Sequence, residues 1–148
     1  MQLNEKGKDL IKFYEGCKLT SYQCSAGHWT LGFGNTFFED GKPVKPGDKI
    51  TQERANELFE IIAKEFADKV APLVKSAVTP NQFAALTSFA YNAGIGNLKS
   101  STLLKKVNAN PNDPTIALEF AKWDKAGGKV LAGLTKRRAA ESKLYFTP

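Results

Sequence analysis

Near the N-terminus, apolar positions recur at three- and four-residue spacing: Leu3, Gly7, Leu10, Ile11 and Tyr14 share one face, which predicts an amphipathic helix. Gly16 supplies the left-handed stop, so Glu15 lies in the last turn. The period then falls to two. Leu19, Ser21 and Gln23 alternate with Thr20, Tyr22 and Cys24; Ser25-Ala26-Gly27 is turn chemistry; and Trp29 to Gly34 reads as a second strand. Gly32 and Gly34 in that strand leave room for another backbone or a ligand to approach. Loops rich in Gly and Pro follow at Phe37–Pro43 and Pro46–Asp48, with a third short strand expected between or beside them. Thr51 then caps a long helix with the stripe Ala55, Leu58, Phe59, Ile62, Phe66, Val70 and Leu73, kinked or ended by Pro72. Extended to about Ser76, this helix would span roughly 35 Å. Thr79-Pro80-Asn81-Gln82 is a capping box with proline in the first turn, and Gly94 stops the helix it starts. A short helix is expected from Ser101 to about Val107, another from Asp113-Pro114 to near Trp123, and a last one from a Thr135 cap to about Phe146, after a connection loosened by Gly127-Gly128 and Gly133.

This pattern predicts an α+β chain: a small sheet near the N-terminus, then helices. A length of 148 residues is one domain's worth, read as a β-rich part over 15–50, a connecting helix over 51–76 and an all-helical part over 77–148. No apolar run approaches a membrane span, and stable membrane insertion is not expected. The N-terminus lacks a basic region followed by an apolar core, so the chain is expected to be made without a signal peptide and held at first in the cytoplasm. Two cysteines and one histidine give neither a disulfide framework nor a zinc cluster, and no metal or cofactor is expected. Cys17 reads as a packed thiol and His28 as a hairpin residue. The net charge of +6 favours anionic partners, among them wall polymers, lipid head groups and nucleic acid. The aromatics fall on core stripes and not beside basic residues, which argues against nucleic acid.

Candidate chemistry centres on Glu15. A carboxylate at the negative end of a helix is misplaced for stability, and a Glu that holds its proton there is what a general acid needs. A hairpin starting just beyond it carries Cys24 and Thr30 back toward the carboxyl. Taken alone, the three residues fit better as a solvated helix-end Glu, a buried structural Cys and a strand Thr.

The spacing Glu, eight residues, Cys, five residues, Thr resembles the catalytic signature of the phage-type lysozymes, glycoside hydrolase family 24. Tyr22, Gly27, Trp29-Thr30, Gly32 and Gly34 match that pattern, as do Asn81–Leu86, Ser88–Gly94, Ser100–Leu104, Trp123, Gly127-Gly128 and Gly133–Glu141, so the resemblance covers almost the whole chain. It implies a lysozyme-like two-lobed fold and a muramidase that cleaves the β-1,4 bond between N-acetylmuramic acid and N-acetylglucosamine. Glu15 would be the acid and Cys24 the water-side group, where the family usually carries Asp and a minority Cys. Thr30 would orient the water. It further implies substrate contacts at Thr36, Tyr91, Asn92, Ser100 and Ser101. Asn35 stands where the family often has His. Arg137 and Arg138 read as a solvated helix face that could instead hold the cleft. The implied partners are peptidoglycan glycan strands, bound by a monomer that reaches the wall through a lesion made by a separate membrane protein. A lytic transglycosylase, which needs one acid and no water, and a non-catalytic wall binder are the alternatives.

Overall fold

A computed structural model describes residues 1–148. The chain opens with helix α1 (Glu5–Glu15), capped by the Asn4 side chain on the Gly7 amide and closed by Gly16 at φ 67°. Strands β1 (Lys18–Gln23) and β2 (Trp29–Gly32) form an antiparallel hairpin with Tyr22 opposite Thr30 and a bulge between Lys18 and Tyr22. The expected third strand is reduced to single bridges, Thr20 with Lys49 and Phe37 with Pro43, because the Gly- and Pro-rich loops cannot sustain a ladder. Helix α2 (Gln52–Val70) starts at the Thr51 cap as read, but ends well short of Ser76. Pro72, which has no N–H to continue the ladder, reduces the tail to a single 3-10 turn over Ala71–Leu73.

The remaining helices are α3 (Pro80–Ala93), α4 (Ile95–Ser100), α5 (Thr102–Ala109), α6 (Ile116–Ala121) and α7 (Ala132–Tyr145). The Thr79–Gln82 capping box forms with both of its bonds, and Gly94 ends α3 at φ 100°. Every residue of α3 from Asn81 to Ala90 is buried, so α3 is the post around which α1, α2, α4 and α7 pack. Phe83, Phe89, Phe59, Phe120 and Ile11 fill the common core. Leu31, Val44 and Leu58 make a smaller one beneath β2. Gly7 lets α1 approach α3 closely, since a Cβ there would lie 2.7 Å from the Ala84 methyl.

Two expectations about the C-terminal third fail locally. Gly127-Gly128, read as a loose connection, sits at φ 58° and 80° and makes the tight turn of a second hairpin, β3 (Lys125–Ala126) and β4 (Lys129–Val130). That hairpin delivers the chain into α7 at Ala132, so Thr135 lies inside the helix. Its hydroxyl bonds back to the Leu131 carbonyl at 3.2 Å instead of capping. The short helix α4 was also unforeseen, six residues with no capping side chain to announce it.

Candidate active site

Glu15 is the last residue of α1, and its carboxylate meets two neighbours from distant parts of the chain. Arg137 of α7 donates from Nη1 to Glu15 Oε2 at 2.5 Å. Gly34, just after β2, has φ 76°, and a Cβ built there would collide with the Glu15 carboxylate. The room left by that glycine is therefore filled by the protein's own carboxyl. The helix dipole opposes an acid at this position by about 0.3–1 kcal/mol, whereas a hydrogen bond to a charged partner contributes about 1.5–3 kcal/mol. The guanidinium wins and fixes the side chain. Under the muramidase reading that the resemblance implies, Gly34→Ala is expected to slow peptidoglycan clearance more than about tenfold, because a misplacement near 1 Å can cost a hundredfold. The strain of a left-handed alanine adds about 1–2 kcal/mol of destabilisation. Parallel thermal melts and peptidoglycan clearance check this, and full activity in the folded variant would contradict it.

Arg137 is itself anchored. Its Nη2 donates to the Ser88 carbonyl at 3.2 Å and its Nε to Glu141 Oε2 at 3.3 Å. Glu141, wholly buried, also accepts from the Ser88 hydroxyl at 2.6 Å and lies 2.9 Å from Arg138 Nε. Arg138 Nη2 donates to Asn92 Oδ1 at 2.7 Å, and its guanidinium stacks 4.9 Å from the Phe89 ring. The expected solvated face of Arg137 and Arg138 is thus overturned: both are buried, at 3% and 1% exposure. Burial pushes the Glu141 carboxyl up, against the pull of Arg138, Arg137 and the Ser88 hydroxyl. The sequence signal was the Arg-Arg-x-x-Glu spacing on α7, which places all three on one face, but a solvated ion-pair face has the same spacing.

The hairpin brings Cys24 and Thr30 together. The Cys24 amide donates to the His28 carbonyl at 2.9 Å across the turn, and Tyr22 opposite Thr30 sets the register behind it. Desolvation raises the half-buried Cys24 thiol, but the amides of Ala26 and His28, the Thr30 hydroxyl and the residue's own amide outweigh it and bring the thiol below its ordinary value. The Thr30 hydroxyl also reaches the His28 carbonyl at 3.0 Å, so its single proton serves the carbonyl or the sulfur. Tyr22 stands close enough to both acids to register them: burial first, then Glu15 and then Cys24 push its hydroxyl up. The two cysteines are free. They flank β1 at its two ends, and the strand between them spans roughly 23 Å at about 3.3 Å per residue, too far for a bridge. Cys17 packs beside Gln52, its Sγ 3.7 Å from the amide oxygen.

The residues expected to touch substrate divide. Tyr91 donates its hydroxyl to the Phe33 carbonyl at 2.6 Å and accepts from Asn35 at 3.0 Å. Its ring packs against Phe59 and Phe66, with centroids 6.0 and 5.1 Å away. Burial, then Glu15, pushes that hydroxyl well up. Tyr91, half-buried, therefore joins the loop after β2 to α3, with its hydroxyl and much of its ring engaged within the fold. Asn35 works in the same bridge, its Oδ1 accepting from the Phe33 amide at 3.2 Å. Ser101 is buried and spent as the cap of α5, accepting from the Leu104 amide at 3.0 Å. Thr36, Asn92 and Ser100 are half-buried or exposed, with Ser100 donating to the Gly96 carbonyl at 3.1 Å.

Comparison with known proteins gives the family and the fold. The family model described as Phage lysozyme matches residues 12–141. An endolysin of Bacillus phage B103 is 44% identical over 99% of this chain, and that alignment covers 55% of the phage protein. The chain thus spans about half the length of this curated relative. Among solved structures, an endolysin from Escherichia coli O157:H7 phage FAHEc1 superposes with a TM-score of 0.89 at 39% identity, over 99% of this chain and 94% of its own. The muramidase domain of SpmX from Asticaccaulis excentricus superposes at 0.86 with 34% identity, over 99% of each chain.

Proposed function

The chain belongs to the phage lysozyme family, and from that premise we propose that it is a peptidoglycan hydrolase of the muramidase type, acting in phage-driven lysis of a bacterial host. The observation that carries the reading is the Glu15 carboxyl, held by Arg137 against Gly34 and standing by a hairpin whose Cys24 thiol is lowered. Glycoside hydrolysis needs an acid on the leaving oxygen and a base or nucleophile across the sugar. Glu15 gives its proton to the glycosidic oxygen as the C1–O bond breaks. The Cys24 thiolate takes a proton from water as that water's oxygen bonds to C1, and Thr30 orients the water. Thr36, Asn92 and Ser100 contact the glycan strand. The enzyme works as a monomer on the wall after release through a lesion made by another protein. No helix here is long and apolar enough to cross a membrane.

The test is digestion of purified peptidoglycan in ¹⁸O-water, with mass analysis of the products. Hydrolysis places one labelled oxygen at each new reducing end. Unlabelled anhydro-muramic ends would instead establish a transglycosylase, and intact strands a wall binder.

A further inference from the structure

The strongest unused feature is the fully buried Glu141 and what hangs from it. Each arm of the Arg137 guanidinium has one assignment: Nη1 to Glu15, Nη2 to the Ser88 carbonyl, Nε to Glu141. A planar fork held at three points cannot turn about its stem. Ser88 fixes Glu141 in turn, its hydroxyl 2.6 Å from the same oxygen that meets Nε. Glu15 is the one member of this group that lies at the site, 17% exposed in its side chain against 4% for Arg137 and 0% for Glu141, so the buried cluster is built outward to the site. Stability alone does not account for it, since a buried ion group is often no better than apolar residues of like volume. We infer that Glu141 is a positioning residue for the cleavage reaction, holding Arg137 in the one orientation that aims Nη1 at the Glu15 carboxylate. This rests on the assignment of Glu15 as proton donor.

The test is a double-mutant cycle on kcat with saturating soluble glycan-strand substrate, well below each protein's melting temperature and with folding checked by near-ultraviolet circular dichroism. Glu141→Gln is expected to lower kcat at least about tenfold, since small misplacements of a reacting group cost that much. Arg137→Ala should lower it by as much or more. Adding Glu141→Gln to Arg137→Ala should change kcat by less than about twofold, the mark of residues acting as one unit. A kcat near wild type in folded Glu141→Gln would overturn the inference, as would equal losses in both backgrounds. If Glu141→Gln does not fold, Ser88→Ala takes its place in the cycle. It keeps every charge, and its expected loss of about threefold must vanish in the Arg137→Ala background. Equal losses there would overturn the inference. Glu15→Gln separates the two levels: if it stays active, the proton-donor assignment fails; if it is dead while the cycle shows no coupling, only the role of Glu141 fails.

Discussion

Glu15→Gln will remove nearly all lysis while leaving the fold in place. The amide oxygen of glutamine can still accept from Arg137 Nη1, so the helix end keeps its partner. Arg137 also keeps Glu141 and the Ser88 carbonyl, so no buried cation is stranded. Helix α1 and the residues before it pack on the core through Leu3, Gly7 and Ile11, none of which the change touches. The melting temperature should therefore move by no more than about 4 °C, the size of a 1 kcal/mol effect at this length. What disappears is the transferable proton, and loss of a general acid costs about two to four orders of magnitude. Clearance of purified peptidoglycan by the folded variant at more than about a tenth of the wild-type rate would contradict the assignment.

The second large effect is at Cys24, where substitution should sort by charge and not by size. Cys24→Ser keeps the one-carbon stem but supplies no anion. It should lose at least about a hundredfold, the low end of what a base contributes. Cys24→Asp should retain activity, because the Ala26 and His28 amides and the Thr30 hydroxyl that favour a thiolate favour a carboxylate equally. Its activity should also extend to lower pH. An aspartate is ionised above about pH 4, whereas an ordinary thiol needs about pH 8.5. The Cys24 thiol lies below that ordinary value, so wild-type activity should rise with pH at an intermediate point. Alkylation should inactivate the Cys17→Ser protein and spare the same protein carrying Cys24→Asp. The product anomer then tells whether the sulfur activates water, which inverts, or attacks carbon, which retains.

How much of this was legible in the sequence depended on how local the cause was. Gly16, Thr51 and the Thr79–Gln82 box act within one turn of themselves, and each set its boundary as read. Thr135 failed as a cap because the tight Gly127-Gly128 hairpin upstream decided where α7 begins. Around Glu15, the helix end and the hairpin that carries Cys24 and Thr30 were legible because a helix stop and a two-strand register act over a short stretch, while the roles of these three residues are the proposal's. Arg137, Glu141, Ser88 and the depth of Tyr91 were not. They depend on α7 and α3 docking against a residue as many as 122 positions away, and a polar helix face carries no mark of what will cover it.

If Cys24 works as an anion on the water side of the reaction, thiolate formation and turnover must share one titration. In the Cys17→Ser protein only Cys24 contributes a thiolate, whose ultraviolet absorbance can be titrated in the same buffers used for a kcat–pH series. The absorbance midpoint is expected to lie below the ordinary thiol value and to coincide with the acid limb of kcat. Full activity at pH values where the absorbance shows Cys24 still neutral would contradict that anionic role.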